Sequence, residues 1–154
     1  MDAESASGPA LQKIDIAIAR LRLLLADLSA REASLDAQRR TAREQQRKLV
    51  QFSLYGDATL DSVLSMLADV DERQQSCEAL GRSLHAIRQR AENELESLQL
   101  TKGIEAARVQ LAQLQATPGP LTPETQSEIA RLRALINEGS ERAARTIEAR
   151  FQQK

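Results

Sequence analysis

LQKIDIAIARLRLLLADLSAREASLDAQRRTAREQQRKL, residues 11–49, decides the fold. Apolar side chains recur at alternating spacings of three and four. One column, Ile14, Leu21, Leu28, Leu35, Ala42 and Leu49, is apolar throughout. The other is apolar at Leu11, Ile18 and Leu25, then polar at Glu32, Arg39 and Gln46. Two apolar columns let helices pack along their length, and polar residues in one of them thin the seam. The stretch therefore predicts a long helix whose packing changes character halfway.

The rest of the chain agrees with an all-α reading. Its 154 residues suffice for roughly one domain. Aromatic residues are confined to Phe52, Tyr55 and Phe151, so Leu, Ile and Ala must fill the core, as suits a helical bundle. The 21 basic and 22 acidic side chains leave a formal net charge of −1, without the basic excess of a dedicated duplex-DNA binder. Cys77 is the single cysteine and lies in an apolar stripe, which predicts a core thiol in a reducing, cytoplasmic setting. No apolar run approaches the ~18 residues of a membrane span, and the acidic first residues are unlike a presequence.

Two breaks divide the chain. Residues 1–8 read as a disordered tail, followed by one helical domain over 9–154. Gly8 and Pro9 open helix 1, expected over about 9–52, with Pro9 where its missing N–H costs nothing. Gly56, Asp57 and Thr59 supply a turn and two capping candidates for helix 2, about 60–116. The linker 117–122 precedes helix 3, about 123–153, for which Thr122 is a cap and Thr125 with Glu128 a competing one. Gly81, Gly103 and Gly139 are candidate interruptions.

Short connections make neighbouring helices antiparallel. A turn at Gly56 pairs helix 1 with helix 2 at residue numbers adding to about 112, and the linker pairs helix 2 with helix 3 at about 239. The expected architecture is an elongated antiparallel helical hairpin, or coiled coil, with a third helix forming a three-helix bundle at one end. The extra apolar residues Ile16, Leu23 and Leu24 would then meet the third helix. Helix 2 carries three apolar stripes out of phase, so its partner changes along its length or a second chain packs on it. Association into a homo-oligomer is one such reading.

No catalytic, cofactor or metal signature occurs. His85 stands alone, and a zinc site needs several ligands; no cofactor is expected and the chain does not read as an enzyme. Two patches remain. Arg39, Arg40, Arg43, Arg47 and Lys48 form a basic stretch that suits a nucleic acid or an acidic membrane surface. The favoured reading of that stretch is pairing with the acids of helix 2, Arg40 near Glu72 and Arg43 near Asp69. At the turn, apolar residues crowd into 49–67, and Phe52, Leu54, Tyr55, Leu64 and Met66 exceed what two helices can bury. These five are the candidate partner-binding residues. A scaffold or adaptor subunit that docks a protein partner, itself helical, is the function expected. The alternative is a polyanion-binding helical protein using 39–48. The outline resembles helical-hairpin proteins such as export-machine stalk proteins and spectrin-like repeats, and no residue motif assigns the chain to either.

Overall fold

The computed structural model describes residues 3–152, with the side chains of 8–149 and 152. The chain is all-α: α1 is Ala3–Tyr55, α2 is Leu60–Ala116 and α3 is Pro123–Gln152. α1 packs on α2 and α2 on α3. Thr59 caps α2, its Oγ1 accepting from the Ser62 N–H at 3.4 Å. Thr122 caps α3, accepting from the Thr125 N–H at 3.2 Å, with Pro123 at the first helical position. Such a side-chain oxygen satisfies one of the N–H groups that a helix start leaves open.

Two expectations are corrected. The tail foreseen over 1–8 is helical from Ala3, with Pro9 inside the helix. Pro9 removes only the bond to the Ser5 carbonyl, close to the helix end, where one lost bond does not stop a long helix. Residues 1 and 2 lie outside the described residues. α1 also continues through Ser53 and Leu54 to Tyr55, and the Gly56 N–H donates to the Phe52 carbonyl at 2.9 Å. At Gly81, Gly103 and Gly139, which the sequence left open, the helices continue, so α2 and α3 have the expected extents. A Cβ on Gly81 would lie 2.6 Å from Arg39 Nη2, and one on Gly139 2.8 Å from Ile104 Cγ1. These two glycines let a neighbouring side chain approach the helix backbone, at a cost in helix propensity of about 1 kcal/mol each.

The chain divides into two compact units, Met1–Arg22 with Glu92–Lys154, and Leu23–Ala91. In the first, all three helices contribute to the bundle. Ile18, Ile104, Ala107, Ile129 and Leu132 are buried there, and Lys102 pairs with Asp15 across α1 and α2. Gly139 sits against Ile104 and Leu100, at residue numbers adding to 239–243, close to the expected register. Ile16 stays exposed, as do Leu23 and Leu24 in the other unit, contrary to the expectation that the third helix covers them. The apolar face of α3 is spent on α2, where Gly139 permits its close approach.

The second unit is an antiparallel hairpin. Leu28, Leu35 and Leu84 form its core with Leu25 and Cys77, and Ala42, Val63 and Val70 extend the buried seam toward the turn. The polar column of α1 finds partners across this seam. Glu32 accepts from Arg88 Nε at 3.0 Å and Nη2 at 2.7 Å, and Arg88 also reaches Ser29 Oγ at 2.8 Å. Arg39 Nη2 donates to the Cys77 carbonyl at 3.5 Å over Gly81, and Gln74 Nε2 donates to Gln46 Oε1 at 3.4 Å. The hydrogen bonds from Arg88 hold the Glu32 carboxyl below its ordinary range, outweighing the opposing effect of burial. Polar groups at three successive heptads make the thin seam register-specific, because slippage would unpair them.

A candidate docking surface at the hairpin tip

Cross-helix contacts set the register. Gln46 with Gln74, Arg39 with Cys77 and Glu32 with Arg88 have residue numbers adding to 116–120, against the 112 expected from a turn at Gly56. Part of the difference follows from the connection, which is centred between Tyr55 and Leu60 rather than on Gly56. A shift of about one to two helical turns separates the charges that the sequence reading paired. Among the described residues, Arg40 makes no ion pair with Glu72, nor Arg43 with Asp69. Among the described residues, the stretch makes one ion pair, Arg39 with Asp36 at 3.9 Å within the same helix.

The five basic residues do not converge. Arg39 lies at a seam position, half-buried, with its Nε buried and without a hydrogen-bond partner. Arg40, Arg43, Arg47 and Lys48 are exposed. At 3.6 residues per turn, Arg40, Arg43 and Arg47 stand on one flank of α1 and Lys48 on the other.

The apolar candidates are all on the surface. Phe52 is 59% exposed, Leu54 68%, Tyr55 90%, Leu64 53% and Met66 50%. The ring of Phe52 covers Gly56, where a Cβ would meet it at 2.8 Å, but no side chain folds back to plug the seam. Val63 fills the position next to the turn and is almost fully buried, leaving no space for the others.

Helical phase sorts these residues onto two faces. On α1, Arg43, Arg47, Val50 and Leu54 lie clockwise of the seam residues Ala42 and Leu49, viewed from the N-terminus. On α2, Leu60, Leu64, Asp71 and Glu78 lie clockwise of Val63 and Val70 in the same sense. Because α2 runs back against α1, both clockwise flanks fall on one side of the hairpin. The opposite side holds Phe52 and Met66, and farther from the tip a groove whose lining includes Gln38, Thr41, Gln45, Asp69 and Arg73. That groove joins the two anticlockwise flanks, as the phase argument requires. Tyr55 is almost wholly in solvent. Val50 and Leu60, exposed on the Leu54 side, belong to the surface although the sequence reading did not single them out. Their spacing of four from Leu54 and Leu64 is the signal that could have found them.

Among the described residues, no three His, Cys, Asp or Glu side chains are placed to hold a metal ion, and no helix is long and apolar enough to cross a membrane. No protein family, curated protein or solved structure was found to match the chain.

Proposed function

We propose that the chain is a non-enzymatic helical scaffold or adaptor subunit that docks a protein partner through the hairpin tip. The observation that carries this reading is the exposure of Phe52, Leu54, Tyr55, Leu64 and Met66 on helices whose seam is already filled by Val63 and Val70. Large exposed apolar side chains gathered at one end are a common mark of an interaction surface, and aromatic residues are over-represented among its energetic anchors. Burying one such side chain is worth roughly 1.5–3 kcal/mol, so three of them supply much of a micromolar contact after binding costs. A rigid hairpin presents them at low ordering cost. The free thiol of Cys77, half-buried at the seam, suits a reducing cytoplasmic setting.

The test uses the variant Phe52→Ala, Tyr55→Ala, Met66→Ala in an affinity capture from the native organism. Loss of one specific partner with unchanged helix content is the expected result. Capture at unchanged affinity refutes the tip as the docking site.

A second reading rests on Arg40, Arg43, Arg47 and Lys48, which make no ion pair among the described residues and are free for a polyanion such as a nucleic acid. Lys48, on the opposite flank of α1 from the three arginines, counts against it. Salt-sensitive binding of polyanions that Arg40→Glu, Arg43→Glu abolishes, at unchanged stability, would favour it.

A further inference from the structure

The clockwise face of the hairpin carries more than apolar residues. Moving away from the tip along α1, it presents Leu54, Val50, Arg47, Arg43 and then Asp36. Along α2 it presents Leu60, Leu64, Asp71, Glu78 and then Arg82. Over 39–55 the chain has five basic residues and one acid, Glu44. Over 56–72 it has five acids and no base. Two neighbouring helices therefore have opposite charge near the tip. Among the described residues, none of Arg40, Arg43, Arg47, Glu78 and Arg82 makes an ion pair, and Asp71 accepts only from Gln75 in its own helix, at 3.2 Å. In the single chain these flanks diverge from the seam, too far apart to join.

We propose that this face binds a second copy of the same chain, side by side and tip beside tip, so that α1 of each copy lies against α2 of the other. A two-fold axis along the hairpin generates that arrangement, and the interface is isologous. The axis preserves height, so residues face one another across the copies at the register found within one hairpin. Leu54 then comes level with Leu64, Arg47 with Asp71, Arg40 with Glu78 and Asp36 with Arg82. Arg43 stands between Asp71 and Glu78. Apolar meets apolar at the tip, base meets acid along the middle, and the polarity inverts in step at Asp36 and Arg82. The other face-to-face arrangement, with the hairpins reversed, would put α1 on α1 and α2 on α2. Aligning the charged stretches in that arrangement sets Arg43 against Arg40 of the copy and carries Leu54 and Leu64 away from the other tip, so only the first arrangement matches charged and apolar residues together.

This inference rests on the tip reading only in using the exposed Leu54 and Leu64. It leaves Phe52 and Met66, on the opposite face, open to a different partner. Self-association would double those sites and present them on the two outer faces of the pair.

Charge-reversal complementation of the full chain tests it. One variant carries Arg43→Glu, Arg47→Glu and a second carries Asp71→Lys, Glu78→Lys. All four positions are exposed, and circular dichroism checks that helix content is kept. Sedimentation analysis is expected to give a dimer for the natural sequence, weakened by high salt. Each variant alone should dimerise more than about tenfold less tightly, since the contacts of Arg43 and Arg47 with Asp71 and Glu78 then oppose like charges. Mixing the two variants should restore a dimer containing one copy of each. A natural chain that remains monomeric overturns the proposal. So does a dimer that either variant leaves intact, or a mixture that stays monomeric. If the natural chain is monomeric yet the Phe52, Tyr55, Met66 variant loses its partner, only the second-copy inference fails. If complementation succeeds and that variant still captures the partner, the tip reading fails instead.

Discussion

Replacing Gly139 by Ala should destabilise the bundle, whereas replacing Gly103 by Ala should stabilise it. Both glycines lie inside continuous helices and in the same compact unit. In a helix interior, Ala is favoured over Gly by about 1 kcal/mol because it loses less backbone freedom on folding. At Gly103 a Cβ would have nothing within 4 Å, so that gain should appear nearly whole. At Gly139 the same methyl would sit 2.8 Å from Ile104 Cγ1 and 3.1 Å from its Cδ1. Ile104 is itself buried, and its Cγ1 cannot swing aside as a flexible side-chain end would. Overpacking of this kind costs roughly 1–3 kcal/mol, which offsets the propensity gain and leaves a net loss of about 1 kcal/mol. The two variants should thus differ by about 2 kcal/mol, read as midpoint shifts of opposite sign in urea unfolding followed by helix signal. In an Ile104→Ala background the penalty at Gly139 should vanish, because the two sites are in contact and their effects are not additive. If Gly139→Ala stabilises as much as Gly103→Ala, the close approach of α3 to α2 is not as described.

The hairpin core gives a second contrast. Leu28→Ala removes a buried side chain and should cost about 2–5 kcal/mol, while Leu23→Ala, at an exposed position five residues earlier, should stay within about 0.5 kcal/mol in the same unfolding measurement. Equal effects would refute the assignment of the seam. A third prediction concerns pH. The Glu32 carboxyl is lowered from its ordinary 4.5, so the unfolded chain binds its proton first as pH falls. Its contribution is therefore complete above the unfolded value and is lost as pH drops through the folded one. Glu32→Gln should flatten the acid limb of the stability profile, and an unchanged limb would show that the pair with Arg88 contributes nothing to it.

Local pattern was enough to read the elements. Heptad spacing marked the positions that α1 buries, from Ile18 through Leu28 and Leu35 to Ala42, because a helix repeats every 3.6 residues whatever it packs against. Thr59 and Thr122 announced the starts of α2 and α3, because a cap is a contact between residues two or three apart. The surplus of apolar residues at the turn was also legible, since two helices offer only one seam and Val63 occupies it.

Register and face needed the tertiary structure. A displacement of about one to two turns separated Arg40 and Arg43 from the acids they were expected to meet, and no local rule sets that displacement. It is decided by the length of the connection and by Glu32 with Arg88, Gln46 with Gln74 and Arg39 over Gly81, contacts between residues 28 to 56 positions apart. The same distant contacts give Gly81 and Gly139 their meaning, since a glycine that breaks a helix and one that admits a neighbour are the same residue in sequence. They also divide the tip into two faces, with Leu54 and Leu64 on one and Phe52 and Met66 on the other. Sequence periodicity assigns each residue a direction around its own helix, and only the packing of α2 against α1 turns those directions into shared surfaces.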